Sequence, residues 1–129
     1  VLWAHDNRTC GFRIVGNGAA CRIENRLPGA DANPYVAMAA AIAAMLDGIE
    51  RKLEPPEEFR GNAYEAGDKV ARVPATLREA TDEFERSDVA VRAFGERVVA
   101  YLVTHARHEQ AAFDRAVTCW ERARDFERI

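Results

Sequence analysis

Five charged side chains near the start of the sequence have the types and spacing of an anion-binding site. Arg22, Glu24 and Arg26 occupy alternate positions, so in a β-strand all three would lie on one face. Arg8 and Arg13 lie a few residues earlier, and the chain has no lysine before position 52. Planar guanidinium groups hold phosphate or carboxylate oxygens in a fixed fork. The alternative is a ladder of salt bridges on an exposed sheet face, and the pattern alone leaves both open.

Glu24 is the lone carboxylate within the strand segment, and two chemical roles suit it. It would serve either as the counter-ion of the arginines or as an oxygen ligand for a divalent metal where phosphate binds. The apolar segment 35–46 begins soon after this strand. A buried neighbour indicates that the strand is internal to the protein, which favours the anion site.

Two short extended segments with a turn between them predict a β-hairpin. The segments are Phe12–Val15 and Cys21–Leu27, and Gly-Asn-Gly at residues 16–18 is a strong turn signal. The same glycines lack the third glycine and the Lys-Ser/Thr pair of a phosphate-binding loop. If the two strands pair, Arg13 joins Glu24 and its neighbours.

A helix is predicted directly after this hairpin. Asn33 is a good N-cap and Pro34 suits the first helical position, whereas Pro55 and Pro56 block continuation beyond about Arg51. The body of this helix is apolar on all sides and rich in alanine. We therefore expect it to be buried on most sides.

The rest of the chain predicts a loop and then several helices. Residues 54–73 contain proline, glycine and charges without a period, which is typical of a loop. Thr76 and Glu79 have the spacing of a capping box, which predicts a helix to about Arg86. Its predicted apolar face consists of Leu77, Ala80 and Phe84.

Three further helical segments are expected after that helix. Residues 87–94 form a short helix or turn, and a long helix follows from about residue 96 to 116. Thr118 and Glu121 resemble a second capping box, which opens a last short helix. The predicted stripe of the long helix is Val98, Leu102, Ala106, Glu109, Phe113 and Val117. The fold class expected is α+β, with a short antiparallel β hairpin followed by a mainly helical region. The expected division is into active-site strands over residues 1–32 and a helical region over 33–129.

The histidines and cysteines give no strong sign of a site. His105 and His108 lie three apart on the predicted long helix, but no third metal ligand is marked, so we interpret them as surface residues. Cys10, Cys21 and Cys119 are odd in number and form no C-x-x-C motif. Reduced thiols in an intracellular protein are the expectation.

Composition excludes several classes of protein. The 129 residues are 48% hydrophobic and 30% charged, which is typical of one soluble globular domain. The net charge of −3 provides no basic field for nucleic acid. The longest apolar run has twelve residues, too few to cross a membrane, and the start has no signal-peptide pattern. The expectation is a cytoplasmic protein that binds neither nucleic acid nor membrane.

Two blocks of the sequence resemble the glutamine synthetases. The segment NRTCGFRIV, residues 7–15, resembles that family's Asn-Arg-Ser/Thr segment with a following arginine. The segment RIENRLPGADANPYVAMAAAIAAMLDGIERKL, residues 22–53, resembles its Arg-Ile-Glu-x-Arg and Asn-Pro-Tyr block. The later segments GNAYE and VTCWERARDFERI fit more loosely. The resemblance identifies the chain as the C-terminal part of a glutamine synthetase catalytic domain.

The resemblance implies a reaction and a role for each charged residue. The γ-carboxylate of glutamate attacks the γ-phosphate of ATP, and ammonia or an amine then displaces phosphate from γ-glutamyl phosphate. Arg8 and Arg13 would contact the phosphates, and Arg22 would lie on the nucleotide side. Glu24 would ligate the Mg²⁺ or Mn²⁺ ion that bridges the phosphates. Arg26 would hold the glutamate carboxylate or the phosphoryl group, so that Arg8 and Arg26 are the catalytic arginines.

The resemblance also implies partners and leaves alternatives. The intact enzyme would be a ring-shaped homo-oligomer, and the isolated chain would be inactive. The residues RIENRLPGADANPY, with Trp3 and DNRT upstream, are more similar to the γ-glutamylpolyamine synthetase branch, so a polyamine or another amine is the alternative to ammonia. A non-catalytic paralogue is the second alternative. Tyr64 lies near a modification site of some bacterial members, but its surroundings indicate an ordinary loop tyrosine.

Overall fold

The predicted hairpin is present in the computed structural model, which describes residues 1–67, 70–126 and 128. Strand β2, Phe12–Val15, pairs antiparallel with β3, Arg22–Asn25, and places Arg13 opposite Glu24. Gly16 has a φ of 83°, and a Cβ atom there would lie 2.4 Å from the carbonyl oxygen of Ala20. Only glycine fits this turn without strain.

A third strand, β1 at Trp3–His5, lies at the start of the described chain, beside the predicted hairpin. It pairs parallel with β2, with Ala4 opposite Arg13, so that the sheet order is β1-β2-β3. Parallel strands usually need a connection of a dozen or more residues, but here residues 6–11 suffice. To begin a parallel strand beside β1, the chain must run back along the length of β1 and across to the neighbouring position, a path of about 15 Å. Six extended residues reach about 20 Å, so the short connection is long enough.

A loop segment covers the outer edge of β1. The Trp3 indole donates to the carbonyl of Pro56 at 2.7 Å, and the Phe59 amide donates to the carbonyl of Trp3 at 3.0 Å. Within its described part, the predicted loop at 54–73 has no α-helix or strand, and it includes a short 3-10 turn at Ala63–Glu65. The loop therefore closes an edge that would otherwise be open.

Helix α1, Pro34–Glu50, begins as predicted but is not buried as predicted. The Asn33 side chain accepts hydrogen bonds from the amides of Tyr35 and Val36. None of the residues of α1 is buried, and Met38 and Ile42 are more than half exposed. The expectation of burial is wrong for this chain because the three strands of the same compact unit leave the helix uncovered.

The chain divides into two compact units, Val1–Val73 and Pro74–Ile129. The second unit contains α2 at Leu77–Glu85, α3 at Asp88–Phe94, α4 at Glu96–Asp114 and α5 at Cys119–Asp125. Both predicted capping boxes are formed, with hydrogen bonds in the two directions at the starts of α2 and α5.

The α+β class is confirmed, whereas the division into residues 1–32 and 33–129 stays a prediction. Among the described residues, no helix has the length and apolar character that a membrane crossing needs.

The buried face of α4 in the second unit is displaced by one residue from the predicted apolar stripe. Val99 and Val103 of α4 are buried with Ala90 of α3, and Phe84 of α2 packs against them. Predicted members of the α4 stripe lie outside, since Val98 is 45% and Phe113 is 67% exposed. The predicted stripe is wrong because α4 has valine at both 98 and 99. Two adjacent faces of the helix are therefore apolar, and the sequence pattern does not distinguish them.

The apolar face predicted for α2 is also partly wrong. Leu77 and Ala80 are exposed, and Thr81 is buried instead. The Thr81 hydroxyl donates to the carbonyl of Leu77 at 2.7 Å. This bond satisfies the hydroxyl within the helix and lets a polar residue occupy an inner position.

Truncation of Val103 tests the observed packing. We expect Val103→Ala to lower the free energy of unfolding by about 2 kcal/mol, because it removes buried methyl groups and leaves a cavity. Val98→Ala is the matched control and should cost less than about 0.5 kcal/mol. Urea unfolding of the purified chain measures both, and equal losses would contradict this packing of α4.

Candidate functional site

Four side chains of alternating charge form a row across the three strands, which we call the charge row: Asp6, Arg13, Glu24 and Arg26. Arg13 of β2 lies opposite Glu24 of β3, and Arg26 follows Glu24 by two residues. Asp6 follows Ala4 by two residues, and Ala4 lies opposite Arg13. The strand period places Arg13 and Glu24 on one face, and Asp6 and Arg26, each one residue beyond the end of its strand, extend the row at its two ends.

Hydrogen bonds join the members of the charge row in sequence. Arg13 Nη1 donates to Glu24 Oε2 at 3.1 Å, and Arg26 Nη1 donates to Glu24 Oε1 at 2.6 Å. Arg13 Nη2 donates to Asp6 Oδ1. Each oxygen of Glu24 thus accepts from a different guanidinium, and Arg13 bridges two carboxylates.

The charge row is most enclosed at Arg13. The Arg13 side chain is 14% exposed, whereas Glu24 is 38% and Asp6 is 80% exposed. Within the described residues, the buried Arg13 Nε has no hydrogen-bond partner. The guanidinium is thus fixed through its two terminal nitrogens.

The ion pairs keep both partners charged. Arg26 first, and Arg13 second, hold the pKa of the Glu24 carboxyl below its usual value. The carboxylates of Asp6 and Glu24 raise the pKa of the Arg13 guanidinium. Glu24 is therefore an ionised carboxylate at neutral pH, as both a counter-ion and a metal ligand must be.

The structure brings three of the five predicted site residues together. Arg13, Glu24 and Arg26 are joined directly. Arg22 begins β3, and its Nη1 donates to the carbonyl of Ala20 at 3.4 Å; no bond links it to the charge row among the described residues. Arg8 is exposed in the turn after β1 and likewise makes no ion pair within the described part of the chain.

The turn that carries Arg8 is held from both sides. Asn7 Oδ1 accepts from the amide and the hydroxyl of Thr9, at 3.0 Å and 2.7 Å. Asn7 Nδ2 donates to the carbonyl of Gly61, and the Ala63 amide donates to the Thr9 hydroxyl. Both neighbours of Arg8 are thus tied to the loop that covers β1, so an exposed guanidinium stands on a fixed turn.

The described residues do not form a complete site for a metal ion. Both oxygens of Glu24 already accept hydrogen bonds from arginines. No group of three or more histidine, cysteine, aspartate or glutamate side chains is arranged to hold a metal in the part of the chain that is described. Mg²⁺ takes six oxygen ligands, several of them usually water, so most of them would have to come from outside the described residues.

Asp6 is the member of the charge row that the sequence did not indicate. Its place depends on β1, which has three residues and is too short to show a period. Once β1 is paired with β2, the period of two from Ala4 points to Asp6. The sequence pattern does not show that β1 pairs with β2, and Asp6 can be placed only when that pairing is known.

Comparisons with known proteins agree on one family. The family model described as glutamine synthetase, catalytic domain, matches residues 1–125. A gamma-glutamylethanolamide synthetase of Streptomyces coelicolor is 56% identical over 129 residues, which is 100% of this chain and 28% of that protein. A glutamate–isopropylamine ligase of a Pseudomonas species is 40% identical over 124 residues, which is 95% of this chain and 27% of that protein. The chain thus spans little more than a quarter of the length of these relatives.

A solved structure shows the same fold. The structure of GmaS in complex with ADP superimposes with a TM-score of 0.84 at 33% sequence identity. The match covers 98% of this chain and 29% of that one. The α+β arrangement described above is therefore an arrangement found within a longer chain.

Proposed function

The chain belongs to the glutamine synthetase catalytic-domain family, as its two N-terminal blocks predict, and from this premise we propose that it is the C-terminal part of the catalytic domain of an ATP-dependent γ-glutamyl ligase. The observation that carries the proposal is Glu24, clamped between Arg13 and Arg26 on the sheet. We call the longer protein that contains this chain the intact protein. On this proposal the isolated chain is inactive.

The proposed reaction places negative charge where the arginines stand. A γ-carboxylate oxygen of glutamate attacks the γ-phosphorus of ATP, and ADP leaves. The nitrogen of the neutral acceptor then attacks the γ-carbonyl carbon and releases one proton to the solvent, and inorganic phosphate leaves with the carboxylate oxygen. In both steps anionic oxygen atoms come close together at the reacting phosphoryl group. Fixed positive groups nearby stabilise this negative charge in the transition state.

The arginines divide this task according to their surroundings. Arg8 and Arg26 are the proposed catalytic arginines at the transferred phosphoryl group. Arg8 is exposed on its fixed turn, and Glu24 takes one of the five N–H donors of Arg26. Arg13, which is enclosed, is also proposed to contact the phosphates, and the exposed Arg22 is proposed on the side of the nucleotide.

Glu24 is the proposed metal ligand of this chain. Its ionised carboxylate is a hard oxygen donor of the kind that Mg²⁺ and Mn²⁺ take, and either ion suits it. When bound, such an ion neutralises phosphate charge during phosphoryl transfer. The two arginines fix the direction of the carboxylate, and the remaining ligands belong to other parts of the intact protein.

The proposed acceptor is a small amine. The relatives reported above are named for ethanolamide synthesis and for isopropylamine, both of which involve a primary amine on a short carbon chain. Ammonia is the second candidate because the family model is that of glutamine synthetase. A polyamine is the third, and it is favoured by the RIENRLPGADANPY segment. We further propose a cytoplasmic, ring-shaped homo-oligomer that binds neither nucleic acid nor membrane.

A panel of acceptors tests the proposed function. The intact protein is assayed with ATP, glutamate and Mg²⁺ or Mn²⁺, together with ammonia, ethanolamine, isopropylamine, putrescine or spermine. We expect ADP and a γ-glutamyl amide in equal amounts, with kcat/KM at least tenfold higher for a small monoamine than for ammonia. ADP release without any amide would overturn the ligase assignment, and no turnover at all would support a non-catalytic paralogue.

A further inference from the structure

Asp6 ends the charge row and takes no part in the proposed contacts with phosphate or metal. Its carboxylate accepts from Arg13 Nη2, while Arg13 Nη1 donates to Glu24. Asp6 therefore reaches Glu24 through one intervening guanidinium. Its own carboxylate is not bonded to Glu24 or Arg26.

The backbone holds Asp6 firmly beside Arg13. The Asp6 amide donates to the carbonyl of Ile14 at 3.0 Å, which extends the β1-β2 ladder by one residue. Asp6 also has a φ of 46°, in the left-handed region that aspartate tolerates better than most residues. The chain leaves the direction of β1 at this residue. The backbone hydrogen bond to Ile14 holds Asp6 in place, so its side chain lies at the end of the charge row.

The guanidinium of Arg13 needs both carboxylates to keep its orientation. Its plane is rigid, and its two terminal nitrogens are bonded on opposite sides while Nε has no partner among the described residues. Without the Asp6 carboxylate, one terminal nitrogen of a largely buried cation would lose its acceptor. The guanidinium would turn to find another, and Glu24 Oε2 would lose its fixed donor.

We propose that Asp6 is a positioning residue of the ligase, acting through Arg13 to fix the direction of the Glu24 carboxylate. This inference rests on the function proposed above. Outer partners that orient a functional carboxylate commonly change activity by about 10- to 100-fold when they are removed. Asp6 touches no substrate on this proposal, so its loss should lower kcat and leave the KM of the amine acceptor unchanged.

Two substitutions in the intact protein remove the carboxylate and preserve the turn. Asp6→Asn and Asp6→Gly both suit a φ of 46°, so neither strains the backbone. Asp6→Gly removes the acceptor of Arg13 Nη2, and we expect it to lower kcat about tenfold, with the amine KM within twofold and the melting temperature within about 3 °C of the parent. Asp6→Asn keeps an acceptor oxygen and should lower kcat less than Asp6→Gly does. Lys52→Gly is the control, because Lys52 has a φ of 53° and lies outside the charge row. It should leave kcat unchanged.

A double-mutant cycle separates positioning from a general structural effect. In an Arg13→Gln background, Asp6→Gly should change kcat by less than twofold, because the residue through which it acts is gone. In an Arg22→Gln background it should keep its tenfold effect, since Arg22 has no bond to the charge row among the described residues.

Two results would overturn the inference while the proposed function stands. One is an active parent protein whose kcat is unchanged within twofold by Asp6→Gly. The other is a tenfold effect of Asp6→Gly that persists in the Arg13→Gln background. A parent protein that makes no γ-glutamyl amide with any acceptor would instead refute the proposed function, and the role of Asp6 with it.

Discussion

Glu24→Gln in the intact protein is expected to lower kcat about 100- to 1000-fold. Glutamine has the same shape but no charge, so the proposed metal ligand is lost and Arg13 and Arg26 lose their shared counter-ion. The amide oxygen still accepts one hydrogen bond, so the hairpin should persist. Initial rates of γ-glutamyl amide formation at saturating ATP and glutamate measure the effect.

Glu54→Gln is the matched control for this substitution. Glu54 is exposed in the loop that follows α1 and lies outside the charge row. It loses the same charge in the same compact unit, so its activity should stay within twofold of the parent. If Glu24→Gln also stayed within twofold, the assignment of Glu24 to the reaction would fail.

Arg26→Gln is expected to lower kcat/KM for glutamate about 100-fold. The substitution removes the guanidinium that is proposed at the phosphoryl group and also frees Glu24 Oε1. Arg26→Lys should recover only part of the loss, because an ammonium is a point charge that cannot hold Glu24 and a ligand oxygen in one planar fork. Steady-state kinetics with glutamate as the varied substrate measure both variants.

The control for Arg26 is Arg115→Gln, at the exposed C-cap of α4. It removes one guanidinium from the other compact unit and should leave kcat/KM within twofold. Full activity of Arg26→Lys would show that charge alone is sufficient at position 26. That result would contradict the forked contact proposed for Arg26.

The elements that the sequence predicted well are those fixed by bonds between near neighbours. The start of α1 depends on Asn33 and the next three residues, and each capping box spans four. The Gly16 turn depends on the φ of one residue. A short window of sequence contains all the atoms that decide such features, so a pattern is sufficient.

The errors concern contacts between elements. Val98 and Val99 are equally apolar, and only the packing of α2 and α3 against α4 selects Val99 for the core. The exposure of α1 likewise depends on what covers it and not on its own composition. Periodicity reports which faces are apolar, but not which of two apolar faces a neighbour will occupy.

Parts of the candidate site follow from the strand period and the hairpin register alone. Glu24 and Arg26 follow from the strand period, and Arg13 follows from the hairpin register. Asp6 depends on pairing with a strand of three residues, which is too short to show a period. The Arg22 side chain turns back to the carbonyl of Ala20, a contact that depends on the turn between the strands and not on the strand period. The roles of the predicted site residues stay predictions.

One isotope measurement tests most directly whether this chain belongs to a γ-glutamyl-phosphate-forming ligase. The intact protein is supplied with ATP, the preferred amine and glutamate labelled with ¹⁸O in its γ-carboxylate, and the inorganic phosphate is analysed by mass spectrometry. Attack of the carboxylate on the γ-phosphorus predicts one ¹⁸O atom in each phosphate released, and the Glu24→Gln variant should release labelled phosphate at a rate at least 100-fold lower. Amide formation with phosphate that carries no ¹⁸O would contradict the acyl-phosphate route and the role assigned to the charge row.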